Sequence, residues 1–235
     1  MTEIYPKHAA TVILVRPEAN GGFEVFMTRR PHGMNFLEGM YVFPGGSLRK
    51  EDCTERILRR CHGLSRKEAQ GILGMHLSPE LSLGHWVTGI RELFEEVGIL
   101  LGVTEAGKPL DMNERERKER LAEKRKALID GSIDFQMLLE SEGLFCDATS
   151  LIYFSHWLTP EEFSIRFDTR FYLTPLPTDQ TPLSTSQDSL WITPDRSLKL
   201  CEQGDLPVIF PTFASLRTLA NFDSLEGLLA EYRFA

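Results

Sequence analysis

Apolar positions change period along the chain, and the changes mark its elements. Residues 9–15 and 23–28 are rich in β-branched and aromatic side chains, and Glu18-Ala19-Asn20-Gly21-Gly22 between them supplies turn chemistry, so a hairpin is predicted. A short strand at 40–43 ends in Pro44-Gly45-Gly46, a turn whose peptide groups can approach a ligand closely. Residues 53–84 read as helical segments broken by Gly63, Gly71 and Gly74, with Ser65 and Glu68 spaced as a capping box. From about residue 83, Trp86, Ile90, Leu93 and Val97 recur with the spacing of an amphipathic helix, and Gly98 sits where a C-terminal glycine cap ends it. Helical patterns at 113–126 and 133–144, separated by Asp130-Gly131, predict a helical hairpin over about 111–145. Strands follow at 151–158, 166–173 and 190–192, then a helix opened by Thr193-Pro194 and two more at 211–221 and 224–232. Hairpins, one long helix and later strands predict an α+β fold with helices packed on a mixed sheet.

The polar faces carry the candidate chemistry. On a helix turning about 100° per residue, Glu92, Glu95 and Glu96 lie together on the face opposite Ile90, Leu93 and Val97. Two such charges about 6 Å apart repel by ~3 kcal/mol at an effective dielectric of ~20. A divalent cation would convert that cost into binding, whereas without one the face is a solvated acidic surface. In 166–173, Phe167, Thr169, Phe171 and Leu173 alternate with Arg166, Asp168, Arg170 and Tyr172, which predicts one apolar and one charged face. An ion-pair ladder is expected on the charged side, and His156 is expected to be a satisfied core histidine.

Composition narrows the setting. The 235 residues are 42% hydrophobic, enough for a packed core, and are read as a single domain over 1–235. A net charge of -8 disfavours nucleic acid and anionic membrane as general partners, so an anionic substrate needs local cations. Cys53, Cys61, Cys146 and Cys201 form no C-x-x-C pair, which points to thiols in a reducing compartment. No window holds 18 consecutive apolar residues and the first eight lack a signal pattern, so a cytoplasmic protein is expected.

Gly46, the acidic Asp52 after five intervening residues, and Arg91-Glu92-Leu93-Phe94-Glu95-Glu96-Val97-Gly98-Ile99 together resemble the signature box of the Nudix hydrolases. Asp52 stands where that box has its first Glu. Residues 53–90, 38 in all, stand where the box usually has seven. A split box of this kind resembles the coenzyme A diphosphatase branch, as do Phe36 to Gly46, Trp157-Leu158-Thr159-Pro160, Arg166 to Phe171, and Asn221-Phe222 with Ser224-Leu225. Asn35 departs from the coenzyme A relatives, which carry an Arg there.

The resemblance implies a Nudix α/β/α sandwich with a mixed sheet and helical insertions at about 53–84 and 111–145. It implies hydrolysis of a nucleoside-diphosphate-linked small molecule, with coenzyme A or acyl-coenzyme A leading. Nucleoside diphosphate sugars, capped RNA and oxidised nucleotides are the alternatives, as is a non-catalytic nucleotide sensor. Mg²⁺ or Mn²⁺ is the implied cofactor, held by Glu92, Glu95, Glu96 and a carbonyl near Gly45. Hard cations of this kind prefer carboxylate oxygens. Glu92 or Glu95 leads as the group that takes a proton from water, ahead of Asp188. Arg91 is expected to orient a box carboxylate, and Asp52 to buttress the helix. Arg29, Arg30 and Arg170 are the candidates for holding phosphates, with Phe36 or Tyr172 to stack on a base. Whether the 111–145 hairpin shapes the pocket or a homodimer interface is left open.

Overall fold

The strand at Lys7–Pro17 is apolar on both sides, and the molecule is layered around it. The computed structural model describes residues 5–19, 21–31, 33, 37–183 and 189–233. In chain order the strands are β1 (Lys7–Pro17), β2 (Phe23–Arg29), β3 (Tyr41–Val42), β4 (Gly45–Ser47), β5 (Cys61–His62), β6 (Gly102–Thr104), β7 (Leu144–Asp147), β8 (Ile152–Leu158), β9 (Phe167–Pro175) and β10 (Ser189–Ile192). The helices are α1 (Glu55–Leu58), α2 (Arg66–Leu73), α3 (Pro79–Val97), α4 (Arg115–Ile129), α5 (Phe135–Glu142), α6 (Pro194–Gln203), α7 (Phe210–Leu219) and α8 (Leu225–Arg233).

The main sheet runs β10-β2-β1-β9-β8, with β3 added to β2 and β4 to β1. It is mixed: β1 and β9 are parallel, and the other pairs are antiparallel. Because side chains alternate along a strand, Ala10, Val12 and Leu14 of β1 enter the core shared with Trp86, Ile90 and Leu93 of α3. Ile13 and Val15 enter a second core with Leu216 and Leu219 of α7 and Leu228 of α8. Helices therefore cover both faces, the α/β/α sandwich the sequence predicts.

Two expectations are corrected and one feature the sequence did not predict is added. The segment 53–84 is not one broken helical unit: α1 and α2 flank β5, and α3 begins within it at Pro79. Gly71 lies inside α2, while Gly63 and Gly74 supply the positive-φ breaks at 81° and 107°. Second, β5 joins β6 and β7 in a small sheet ordered β5-β7-β6, which ties the box insertion to the end of the helical hairpin. Strands of two to four residues are too short to leave an alternation in the sequence. Third, the charged side of β9 is interior: Arg170 is 1% exposed and Tyr172 fully buried, because that face packs under α3, where Trp86 meets the Tyr172 ring at 4.9 Å.

Candidate active site

Helix α3 carries the site, and its ends are fixed by local chemistry. The Ser78 side chain accepts a hydrogen bond from Leu81 N, Pro79 occupies the first turn, and Gly98 closes the helix at φ 75° with its N–H on Phe94 O. The Pro44-Gly45-Gly46 turn meets the last turns of this helix across the 38-residue insertion. Gly45 N donates to Glu96 Oε2 at 3.0 Å. A Cβ on Gly46 would lie 2.6 Å from the Glu92 carboxylate, so any side chain there would displace either β4 or the glutamate.

An interlocked set of charges surrounds that contact. Arg91 is 1% exposed and donates Nε and Nη2 to the two oxygens of Asp52, at 2.9 and 2.8 Å. Its Nη1 reaches Glu92 Oε1 at 2.6 Å and lies 3.3 Å from Glu95. Asp52 is itself buried and also accepts from Thr88 Oγ1 and Arg49 N. Asp52 and Arg91 are thus bonded to each other, with Arg91 also against the Glu92 carboxylate. Arg49, which sequence reasoning missed, grips both oxygens of Glu95 at 2.9 and 2.8 Å. Arg125, also missed, reaches from α4 to the carbonyls of Phe94 and Glu96, at 2.8 and 3.1 Å. Arg49 follows the Gly-Gly turn by three residues and precedes Asp52 by three, the one local signal available; Arg125 lies in a charge run and gave none.

The acidic face is less solvated than its sequence suggests, with Glu92 and Glu95 both buried. Burial raises the Glu92 pKa, which Arg91 partly offsets and Glu95 reinforces. Burial also pushes Glu96 up to about 7, against the Gly45 N–H and Arg30 and with the help of Glu92 and Glu95. Burial works against the Arg91 charge, but Asp52, Glu92 and Glu95 outweigh it and hold the guanidinium pKa above its ordinary value.

Three of these carboxylates, Asp52, Glu92 and Glu95, are thus bonded to Arg49 and Arg91, while Glu96 accepts from Gly45 N; Arg30 and Arg125 add their charge to the surroundings of Glu96. All the donors are hard oxygens, and the surplus is negative, so the residues fit a hard divalent cation. Among the described residues, however, no three His, Cys, Asp or Glu side chains converge as a ready-made metal cage. The carboxylates turn to the arginines and the Gly45 N–H instead. A cavity of about 410 Å³ opens beside this network, between Arg49, Asp52 and Arg91 and the residues that join α4 to α5.

Of the residues expected to hold substrate, Arg30 lies near enough to Glu96 to affect its charge. Arg29 donates to Gly39 O and covers the Tyr41 ring. Phe36, Asn35 and Asp188 lie outside the described residues. Arg170 joins a different cluster. It pairs with Asp168, and its Nη2 is 3.5 Å from His76 Nε2. Asp168 also meets His156 Nε2 and lies 3.4 Å from His8 Nδ1. His156 is therefore half-exposed and hydrogen-bonded to Asp168, not a core histidine, because β8 is an edge strand. Arg166, also on this strand face, donates to Thr159 O. Behind the cluster His85 is fully buried, with Nδ1 donating to Ala9 O and Nε2 without a partner among the described residues. Burial, with Arg170 and His8 adding to it, lowers its pKa to about 3.

Comparison with known proteins agrees with this architecture. A family model described as the NUDT19 Nudix domain matches residues 76–219. The chain is 29% identical to the acyl-coenzyme A diphosphatase NUDT19 of Gallus gallus, over 88% of this chain and 63% of that protein. It is 25% identical to the Xenopus laevis protein of the same name, over 95% and 72%. The chain thus spans less than two thirds of the chicken relative's length. The crystal structure of a NUDIX hydrolase from Alicyclobacillus acidocaldarius superposes with a TM-score of 0.77 at 26% identity, covering 96% of both chains.

Proposed function

The chain belongs to the Nudix hydrolases, in the branch typified by the NUDT19 Nudix domain, and from that premise we propose that it hydrolyses coenzyme A or acyl-coenzyme A. The products are 3′,5′-ADP and phosphopantetheine or its acyl thioester. The observation that carries the reading is the meeting of Gly45-Gly46 with Glu92 and Glu96 across an inserted segment, in a chain related to proteins named acyl-coenzyme A diphosphatases.

Nudix enzymes typically depend on a divalent metal, and here Glu92, Glu95 and Glu96 with the Gly45 carbonyl are the groups that would hold Mg²⁺ or Mn²⁺. Such an ion neutralises phosphate oxygens and lowers the pKa of water. The chain's own residues do the rest. Hydrolysis breaks one P–O bond of the diphosphate bridge, adds the water oxygen to that phosphorus, and requires a carboxylate to take the proton. Both oxygens of Glu95 are held by Arg49, whereas Glu92 spends Oε1 on Arg91 and has no partner on Oε2 among the described residues. Glu92 is therefore the favoured base, with Glu95 the alternative. Asp52 fixes Arg91, which fixes the Glu92 carboxylate against Gly46. Arg30 and Arg29 are the cations on the β2 side for the substrate phosphates.

Mass spectrometry of coenzyme A incubated with the protein and Mg²⁺ is expected to show both products. Glu92→Gln and Glu95→Gln should each lower kcat by ~10²–10⁴-fold. No turnover of coenzyme A, ADP-sugars or capped RNA would sink the reading.

A further inference from the structure

A second cavity, of about 390 Å³, lies between the last turn of α3, the first half of α4 and the residues before 184. Its size falls within the ~300–1,000 Å³ of small-ligand sites. Buried Phe94, Met112 and Leu121 form its apolar floor, and exposed Ala122 and Leu183 its outer wall. The walls are anchored independently of any occupant. The Gln180 amide bonds both N and O of Leu100, Leu183 N donates to Val97 O, and the Leu183 side chain seats on Gly98, where a Cβ would come within 2.6 Å.

The charges at this cavity are unequally engaged. Asp179 accepts from Met112 N, and Glu119 pairs with Arg115. Lys118 makes no side-chain hydrogen bond or ion pair among the described residues, and Arg125 stands between the cavity and the carbonyls of Phe94 and Glu96. An apolar slot with cations at its edge, starting one residue from Glu95, suits a neutral chain tethered to a phosphate. The cavity beside Arg49 and Asp52 suits it less, because more charged groups, Arg49, Glu51, Asp52, Arg91 and Asp134, line it.

We propose that the cavity walled by α4 and Leu183 receives the pantetheine arm and acyl chain of the substrate, with Arg125 and Lys118 at the phosphate end. This assignment gives the helical hairpin a role in choosing the substrate. It rests on the coenzyme A diphosphatase reading, and the test separates the two.

S-Octanoyl-4′-phosphopantetheine is titrated against the wild type, against Ala122→Trp, which fills the cavity from an exposed position, and against Glu123→Trp, exposed and outside the lining. Binding should weaken by about tenfold or more in Ala122→Trp and by less than about twofold in Glu123→Trp. In steady-state assays, the ratio of kcat/KM for octanoyl-coenzyme A to that for ADP-ribose should fall about tenfold in Ala122→Trp. Equal affinity in the wild type and Ala122→Trp, no binding to the wild type, or an equal fall on both substrates overturns the cavity assignment, even where coenzyme A is cleaved. A wild type that binds the fragment yet cleaves no coenzyme A ester overturns the diphosphatase reading and leaves the cavity assignment standing.

Discussion

At the C-terminal end of α3, Asp52, Glu92 and Glu95 share two bonded guanidiniums and Glu96 leans on the Gly45 N–H, whereas beside its N-terminal half a single carboxylate, Asp168, faces a single guanidinium, Arg170, among histidines. Both clusters are largely buried and both lean on β1. The first has more carboxylates than bonded guanidiniums, and they are held by Gly45 of β4, by Arg49 before the 3-10 turn at Lys50–Cys53 and by Arg91, segments that approach from different parts of the chain. The second is nearly neutral and sits on paired strands. A cluster left with surplus charge is poised to complement a ligand; one that neutralises itself is packing. This distinction separates Glu92, Glu95 and Glu96 from Arg170, although all four are charged side chains brought into the interior.

The largest expected effect lies in the balanced cluster. Asp168→Asn removes the carboxylate that, among the described residues, is the only one bonded to buried Arg170, and breaking a buried pair in this way costs about 3–5 kcal/mol. Urea denaturation should show that loss, while kcat changes little if the cluster is packing. Asp52→Asn comes next, at about 1.5–3 kcal/mol, the scale of hydrogen bonds to a charged group. Arg91 would keep Glu92 and Glu95 as partners, and the surplus negative charge would shrink. Activity should nevertheless fall about tenfold as Arg91 loses its anchor. A larger stability loss from Asp52→Asn than from Asp168→Asn would break the comparison.

The smallest effect is a pH dependence. Burial lowers the His85 pKa to about 3 in the folded protein, against the ordinary 6.5 in the unfolded chain, so between these values the unfolded chain binds the extra proton. Stability is therefore complete above pH 6.5 and declines as pH falls toward 3, by ~2 kcal/mol between pH 7 and 5. His8, lowered by burial, adds in the same direction, while Asp168, whose pKa is lowered by its His156, Arg170 and His8 partners despite burial, loses its contribution only at more acid pH. Denaturation at both pH values should show a shallower slope in His85→Gln; an unchanged slope would remove His85 from the account.

Much of this was legible in the chain. The α3 pattern, its Gly98 stop, the strand alternation and the grouping of Glu92, Glu95 and Glu96 follow from local periodicity, and local periodicity is what a linear sequence encodes. The sequence also marked Gly46 and Asp52 as parts of the same site through their resemblance to a split box. Arg49 and Arg125 were not legible, because nothing nearby in sequence distinguishes a guanidinium that crosses to another element from one that stays in solvent. The interior placement of Arg170 was hidden for a related reason: alternation reports that two faces differ, not that a helix covers the charged one.

What the sequence determined by itself is therefore the inventory: the elements, the three glutamates on one helical face, the Gly-Gly turn and the family resemblance. Tertiary structure alone decided which charges are compensated. Packing placed Gly45 and Gly46 against Glu96 and Glu92, set Arg49 on Glu95, and turned the hairpin into the wall of an apolar cavity. Compensation depends on distances between groups far apart in the chain, and burial amplifies each of those interactions by removing the water that would screen them.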